Sequence, residues 1–305
     1  MSFVCRFAPS PNGPLHLGHA FSALVNHRAA EVAGGRFQLR LEDVDTVRCK
    51  PEHEQAILRD LDWLECPPSA PPTRQSDRFG VYEAALARLE EEGLIYPAFE
   101  SRAEISRAVI AREMAGNWPR DPDGVPIFPF RRQEISDAER ARRREAGEPH
   151  VMRLDMARAV ARVGTIYWQE AQGNPLGRPI PVTADPLGWG DVVLARKDAP
   201  ASYHLAVVLD DAAEGISHVI RGKDLFQATS IHRLLQELLG LPAPVFHHHR
   251  LILDIDGRKL SKSSGARSLA TFRTTGATPD DIRRLIHLPP RGGKAEPDTA
   301  ETQTS

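Results

Sequence analysis

The fold of this chain is set by a stretch near its N-terminus that reads Pro9-Ser10-Pro11-Asn12-Gly13-Pro14-Leu15-His16-Leu17-Gly18-His19. Residues 2–7, just before it, are short, apolar and typical of a β-strand, and residues 15–32 have helical periodicity. When a strand turns directly into a helix, the helix N-terminus lies at the carboxyl edge of the sheet, where backbone N–H groups favour phosphate. The stretch therefore predicts a phosphate-binding turn.

Two histidines give this turn its chemistry. His16 and His19 are three residues apart, so both lie on one face of the first helical turn and can reach the same bound triphosphate. Gly18 between them has no side chain, which lets a flat adenine ring lie against the backbone. A His-x-x-His pattern alone is more often an ordinary helix start. After a first strand and a proline-stiffened turn, it favours ATP binding by His16, Gly18 and His19.

A second motif stands far along the chain and reads Lys259-Leu260-Ser261-Lys262-Ser263. When ATP is cleaved to release pyrophosphate, positive charge beside its β- and γ-phosphates stabilises the leaving group. We assign that contact to Lys262, with Lys259 in support and Ser261 and Ser263 in the same ATP-binding loop. The five residues alone would suit a polar surface loop, and their combination with the first motif favours an ATP site.

Strand and helix patterns alternate after the first motif. Residues 36–41 alternate strictly between apolar and polar side chains, which predicts a strand, and residues 52–64 and 79–92 predict helices. This order predicts an α/β fold with a Rossmann-like parallel sheet and right-handed crossovers. The α/β pattern returns later in the chain, at 191–195, 203–209 and 218–220, with a helix at 225–239, a strand at 245–253 and a last helix at 279–287.

The middle of the chain has a different pattern. It mixes short helices, Pro/Gly loops and isolated strands such as 151–154 and 161–168, which indicates an inserted smaller α+β domain. We predict a first half of the catalytic domain at 1–95, an inserted acceptor-binding-like domain at 96–187, a second half of the catalytic domain at 188–255, the second motif with short C-terminal helices at 256–288, and a disordered tail at 289–305.

The bulk composition is that of a globular protein. The chain has 305 residues, 41% hydrophobic content and a formal net charge of −2. It therefore lacks the overall positive charge that is typical of proteins that bind nucleic acid. RNA could still meet a local basic face. The candidates are the arginine runs at 131–132, 140–144 and 283–284, and the alternative for each run is a solvated helix face.

Cysteine usage and hydropathy suggest a location. Cys5, Cys49 and Cys66 are scattered, which favours a reducing compartment over a disulfide framework. No apolar run approaches the ~20 residues of a membrane span, and the N-terminus lacks the apolar stretch of a secretory signal. We expect a cytoplasmic monomer without a membrane partner.

Several further runs carry a resemblance to a known family. They are Arg6-Phe7-Ala8-Pro9-Ser10-Pro11, Arg40-Leu41-Glu42-Asp43-Val44-Asp45, Tyr203-His204-Leu205-Ala206-Val207-Val208-Leu209-Asp210-Asp211 and Ile220-Arg221-Gly222-Lys223-Asp224-Leu225. The chain resembles the glutamyl-tRNA synthetase lineage of class I aminoacyl-tRNA synthetases over about residues 3–275. Within that lineage it is most similar to the short glutamyl-Q tRNA(Asp) synthetase family, which lacks an anticodon-binding domain.

The resemblance implies a pocket for L-glutamate formed by Arg6, Ala8, Ser10, Glu42, Tyr203 and Arg221. The residue types suit that ligand, because two arginines can each fork onto a carboxylate and Glu42 can hold the ammonium. Tyr203 would supply a rigid wall and a hydroxyl. An arginine on the side-chain carboxylate would reject glutamine, whose amide donates where an acceptor is wanted. Taken singly, each residue could be an ordinary salt-bridge or core residue.

The resemblance also implies the reaction. ATP with Mg²⁺ would activate L-glutamate as glutamyl adenylate, and the glutamyl group would pass to queuosine at the wobble position of tRNA(Asp). The chain ends soon after the second motif, as expected for the short family. Three alternatives stay open: a truncated glutamyl-tRNA synthetase-like enzyme that charges the tRNA 3′ end with a partner chain, an inactive paralogue that binds tRNA or glutamate, and a nucleotidyltransferase that does not act on tRNA.

One departure from the family concerns a metal. Many members hold zinc through Cys-x-Cys after a Tyr-Pro pair, and here Ala98 and Glu100 occupy the matching positions. Structural zinc needs four N, S or O ligands, so we predict no zinc. The run 247–249 is three histidines, but on a strand the middle one would face away from the other two, which makes a single-ion site unfavourable.

Overall fold

The computed structural model describes residues 2–196, 199–253 and 267–291. Four predicted ATP-binding residues, Lys259, Ser261, Lys262 and Ser263, lie outside the described residues. The strands are β1 Val4–Phe7, β2 Arg36–Leu41, β3 Thr73–Arg74, β4 Ile95–Ala98, β5 Val151–Leu154, β6 Tyr167–Ala171, β7 Pro179–Thr183, β8 Val193–Arg196, β9 His218–Gly222 and β10 Val245–His249. The helices are α1 Leu17–Val32, α2 Pro51–Trp63, α3 Phe79–Glu91, α4 Arg102–Ala115, α5 Asp137–Glu145, α6 Met156–Val163, α7 Tyr203–Ala213, α8 Thr229–Leu239, α9 Leu269–Thr274 and α10 Pro279–Leu285.

The first sheet confirms the parallel α/β fold predicted from the N-terminal half. Its strands lie in the order β1-β2-β3, and both pairings are parallel. Helix α1 joins β1 to β2, as the apolar periodicity after the first motif predicts. The turn between β1 and α1 therefore lies at the carboxyl edge of this sheet.

The second sheet lies beside the first sheet, with β9 next to β1. Its order is β7-β6-β10-β9, and β10 pairs in parallel with both β6 and β9. Ser217, which precedes β9, donates its backbone N–H to the Val4 carbonyl at 3.0 Å, and its hydroxyl accepts from the Val4 N–H at 2.8 Å. Strand β9 thus lies beside β1, and residues at the carboxyl ends of β1, β9 and β10 line one cavity. Open α/β sheets bind their ligands at this edge.

The third sheet is antiparallel and consists of β4, β5 and β8 in that order. Strand β5 comes from the segment predicted as an insertion, whereas β8 comes from the predicted second half of the catalytic domain. Strands β6 and β7, also from the predicted insertion, join β10 in the second sheet. The division of the chain into domains stays a prediction.

Some element predictions are wrong. The strand predicted over 161–168 is mostly helix α6 and its following turn, because the Asp155 side chain caps that helix by accepting from the Arg158 N–H at 3.1 Å. This cap outweighs the β-branched Val160 and Val163. The strand predicted over 245–253 ends at His249, and the helix predicted from residue 225 begins at Thr229, after a short 3₁₀ turn.

Two apolar clusters anchor the strands around the cavity. One joins Phe7 and Leu24 to Ile220 and to Leu269 near the chain's C-terminal side, and the other packs α7 against α8 through residues such as Leu205. Burial of each such side chain contributes about 1.5–3 kcal/mol, so the strand ends are held firmly. Among the described helices, none combines the length and the apolar character that crossing a membrane requires.

Candidate active site

A cavity of about 690 Å³ opens at the carboxyl ends of β1, β9 and β10. Nine of the sequence-predicted site residues line it, namely Arg6, Ala8, Ser10, His16, Gly18, His19, Glu42, Tyr203 and Arg221. The structure therefore brings together residues that are more than 200 positions apart in the chain. The functional roles of these residues stay predictions.

The two histidines of the first motif also cap helix α1. His16 Nδ1 accepts from the Gly18 N–H at 3.1 Å, and His19 Nδ1 accepts from the His16 N–H at 3.2 Å. The centroids of the two rings are 3.9 Å apart. Both imidazoles are thus fixed at the positive end of the helix, where an anion is stabilised.

The second motif lies outside the described residues, but the chain on either side of it reaches this cavity. Leu251 and Ile252 line the cavity on the N-terminal side of the undescribed segment. On its C-terminal side, Ser268 forms a β-bridge with His16, and Leu269 donates its N–H to the Leu15 carbonyl at 2.8 Å. The chain therefore leaves and re-enters the described structure next to the first motif.

Arg6 is held from behind by a buried carboxylate. Asp211 accepts from Arg6 Nε at 2.8 Å and from Arg40 Nη2 at 2.6 Å, and Arg40 also pairs with Glu214. Burial alone would raise the pKa of the Asp211 carboxyl, but the two guanidinium groups outweigh it and the pKa is lowered. The positive charge of Arg6 is therefore compensated within the protein, and its position on β1 is fixed.

Among the described residues, no acidic side chain contacts the guanidinium of Arg221 directly. Its Nε donates to His248 Nε2 at 3.1 Å, Nη1 lies 2.9 Å from His232 Nδ1 and 3.4 Å from the Tyr203 hydroxyl, and Nη2 donates to the Leu225 carbonyl and Thr229 Oγ1. All five N–H groups thus have protein acceptors. None of these acceptors carries a negative charge, and the 3.4 Å contact with the Tyr203 hydroxyl is the longest of them.

Glu42 follows β2 and lines the cavity with a perturbed carboxyl group. Burial raises the pKa of Glu42 to about 7, although Arg40 and Arg6 act in the opposite direction. Near neutral pH the carboxyl group of Glu42 is therefore partly protonated and partly ionised. A cation bound beside it would favour its ionised form.

Other residues that line the cavity were not predicted as site residues. Asn12 and Asp224 are among them, although both stand inside runs quoted above, and Arg250 directly follows β10. Arg250 could have been predicted as a site residue from its position at the end of a strand, because polar residues there lie at the ligand-binding edge of a parallel sheet.

The residues at the family's zinc positions do not fit zinc. Ala98 is buried on β4 and has no ligand atom, and within the described ranges no group of three or more His, Cys, Asp or Glu residues could hold a metal ion. Nearby, the guanidinium of Arg140 lies 4.6 Å from the Tyr96 ring centroid and donates to the Pro97 carbonyl. These contacts brace the segment that precedes Glu100.

The long arginine run is engaged within the protein. Arg140 is buried, while Arg142, Arg143 and Arg144 form ion pairs with Glu139, Glu148 and Glu90 respectively. Such pairs cancel the positive charge of α5. This helix is therefore a weak candidate for binding RNA.

With the fold and the cavity established, the class of protein follows from comparison with known families. Residues 2–289 match the family model described as "tRNA synthetases class I (E and Q), catalytic domain". A curated relative from Rhodobacter capsulatus, named glutamyl-Q tRNA(Asp) synthetase, is 46% identical over 93% of this chain and 100% of its own length. A relative of the same name from Nocardia farcinica is 39% identical over 94% of this chain and 85% of its own length.

This chain belongs to the glutamyl-Q tRNA(Asp) synthetase family of class I aminoacyl-tRNA synthetases and is a ligase. Membership in the class implies that ATP is a substrate. A crystal structure of a glutamate tRNA ligase from Elizabethkingia meningosepticum in complex with its amino acid is similar, with a TM-score of 0.73 and 28% identity. That comparison covers 92% of this chain and 59% of the solved chain.

Gly18→Ala is expected to raise the KM for ATP about tenfold, the scale of modest overpacking. A Cβ at Gly18 would lie 3.1 Å from Cε1 and 3.2 Å from Nδ1 of His16, so the imidazole must shift. The ATP dependence of pyrophosphate exchange measures this. Gly80→Ala is the matched control, because Gly80 is also the second residue of a helix and its Cβ would meet nothing within 4 Å. An equal KM for ATP in both variants would contradict the assignment of Gly18 to ATP binding.

Proposed function

We propose that this enzyme activates L-glutamate with ATP and transfers the glutamyl group to queuosine at the wobble position of tRNA(Asp). The observation that carries the proposal is the single cavity lined by all six candidate glutamate residues and by His16, Gly18 and His19. The names of the relatives from Rhodobacter capsulatus and Nocardia farcinica support the choice of amino acid and tRNA.

In the proposed amino acid site, Arg6 and Arg221 attract the two carboxylates of glutamate. Arg6 is rigid because Asp211 and the strand fix it. Arg221 supplies a positive charge that no acidic group in the described part of the chain contacts directly. The ionised form of Glu42 binds the ammonium group. Ala8 and Ser10, which follow β1, lie beside the ligand, and Tyr203 forms one wall of the cavity.

In the proposed activation step, a glutamate α-carboxylate oxygen forms a bond to the α-phosphorus of ATP, and the bond to pyrophosphate breaks. Orientation by the cavity is worth ~7–11 kcal/mol of the barrier when the reacting atoms are well placed. His16 and His19 bind the triphosphate, and Lys262 with Lys259, Ser261 and Ser263 stabilise the leaving pyrophosphate. Mg²⁺ bound to ATP supplies further charge neutralisation.

In the proposed transfer step, a hydroxyl of the queuosine cyclopentenediol attacks the carbonyl carbon of the mixed anhydride. An ester forms, the bond to AMP breaks, and the hydroxyl proton is released. This step comes from the family resemblance and from the relatives' names, and we assign no residue of the chain to it.

The KM for glutamate should depend on pH through Glu42. Its pKa of about 7 means that the carboxylate needed by the substrate ammonium is mostly present at pH 8 and mostly protonated at pH 6. The KM should therefore be roughly tenfold higher at pH 6 than at pH 8, the change in the ionised fraction of such a group. In Glu42→Gln the KM should be high and independent of pH. A flat profile in the wild-type enzyme would contradict this role.

The proposal is tested by locating the label after transfer. The protein is incubated with ATP, labelled glutamate and queuosine-containing tRNA(Asp), and the RNA is digested to nucleosides. Label on the queuosine nucleoside is the expected result. Label on the 3′-terminal adenosine would instead indicate conventional charging, and no label together with no glutamate-dependent pyrophosphate exchange would indicate an inactive paralogue.

A further inference from the structure

Behind Arg221 lie three histidines, His204, His232 and His248, that the proposed mechanism has not used. His232 is 1% exposed, and its Nδ1 lies 2.9 Å from Arg221 Nη1. His204 Nδ1 lies 3.1 Å from His232 Nε2, and His248 Nε2 lies 3.1 Å from Arg221 Nε. Two of the three imidazoles therefore contact the guanidinium directly.

The contact with Arg221 fixes the protonation of His232. A guanidinium can only donate hydrogen bonds, so His232 Nδ1 must accept, and the ring proton must be on Nε2. That proton is then donated to His204 Nδ1. Both imidazoles are neutral in this arrangement, and burial, with the charge of Arg221, lowers the pKa of His204 to about 4.

The protonation of His248 is fixed from its other side. Its Nδ1 lies 2.9 Å from Oε2 of Glu170, and Trp168 Nε1 donates to that same oxygen. The His248 backbone N–H donates to Oε1 of Glu170. Nδ1 therefore carries the proton, and Nε2 faces Arg221 as an acceptor. Burial lowers the pKa of His248 to about 4 despite the hydrogen bond to Glu170.

The two arginines assigned to glutamate, Arg6 and Arg221, are thus held by opposite means. Arg6 has a carboxylate, Asp211, directly on its guanidinium, whereas Arg221 has neutral nitrogens and oxygens. Neutral acceptors orient a guanidinium without cancelling its charge. The charge of Arg221 is consequently left for the ligand.

We propose that His232 and His248 are positioning residues that hold the guanidinium of Arg221 in the cavity while leaving its charge available to the substrate carboxylate. This inference rests on the proposed function, in which Arg221 binds glutamate. If one of these imidazoles is removed, Arg221 keeps its charge but its guanidinium is no longer held in one orientation. Binding of glutamate should weaken, while binding of ATP should not change.

The test compares variants that remove or restore the acceptor. Asparagine at 232 places an amide oxygen near the position of Nδ1, and glutamine at 248 places one near Nε2. His232→Ala and His248→Ala should raise the KM for glutamate in pyrophosphate exchange about tenfold, the scale of a lost hydrogen bond to a charged group. His232→Asn and His248→Gln should restore most of the loss, with the KM for ATP unchanged throughout.

His247→Gln is the matched control. His247 lies on the same strand and is also buried, but its Nδ1 contacts the Ala171 carbonyl and not Arg221. It should leave the KM for glutamate unchanged. If the alanine variants fail to fold, Thr229→Val is a near-isosteric alternative. It removes the Thr229 hydroxyl, which lies 2.8 Å from Arg221 Nη2 and 3.2 Å from His248 Nε2, and it should also raise the KM for glutamate.

A second measurement does not depend on activity. In NMR of the substrate-free protein, the Arg221 Nε–H signal, identified by its absence in Arg221→Lys, should exchange slowly in the wild type and in His247→Gln, and rapidly in His248→Ala. Equal exchange in all three would overturn the inference, and so would equal increases in the KM for ATP and for glutamate. A wild-type enzyme without glutamate-dependent exchange would overturn the proposed function, and the NMR result would still decide the positioning of Arg221.

Discussion

Replacing Lys262 by alanine is expected to slow glutamate-dependent pyrophosphate exchange by about 10²–10³-fold, the effect of losing one preorganised charge contact in a transition state. The reason is that the leaving pyrophosphate gains negative charge as the adenylate forms. Lys262 lies outside the described residues, but Ile252 lines the cavity and Ser268 bridges His16, so the chain on both sides of the motif reaches the cavity.

The rate at saturating ATP and glutamate is the quantity to compare. Lys50→Ala serves as the control, because Lys50 is exposed at the start of α2 and does not line the cavity. It should exchange pyrophosphate at the wild-type rate. An unchanged rate in Lys262→Ala would remove the second motif from the proposed mechanism.

Asp211→Asn is expected to lower the free energy of unfolding by about 3–5 kcal/mol, the cost of leaving a buried charge without its partner. Two buried guanidinium groups, those of Arg6 and Arg40, share this carboxylate. An amide would keep the shape but remove the negative charge that compensates both. Arg40 would retain Glu214, whereas Arg6 would retain no acid in contact among the described residues.

Urea unfolding of the wild type and the variant measures this difference. Glu31→Gln is a suitable comparison, because Glu31 pairs with Arg28 at the surface, where an ion pair contributes about 0–1 kcal/mol. Similar losses in the two variants would mean that the buried pairing contributes no more than a solvated one.

The site residues that lie at the ends of strands could be predicted from the sequence. The first motif follows β1, Glu42 follows β2 and Arg221 stands near the end of β9, and all line the predicted edge of the sheet. Parallel pairing converts such positions into neighbours in space, so periodicity and motif order were sufficient to bring them together. The boundaries of β2 and the C-terminal boundary of α1 were predicted because their apolar patterns are strong and local, whereas α1 begins two residues later than predicted.

The partners of the site residues could not be predicted in this way. Asp211, His232 and His248 contact Arg6 or Arg221 through packing of α7, α8 and β10, and no spacing rule in the sequence specifies those pairs. The same limit explains the arginine run on α5, whose acidic partners come partly from other elements. Helix α6 was missed because a single capping residue, Asp155, decides it.

The proposed amino acid and ATP site is tested most directly by ATP–pyrophosphate exchange with the purified wild-type enzyme in the absence of tRNA. Exchange should depend on L-glutamate and should be at least about a hundredfold weaker with glutamine, whose amide would leave a buried cation without its carboxylate. Exchange that is absent with glutamate, or equal with both amino acids, would contradict the claim that one cavity binds ATP beside an acidic amino acid.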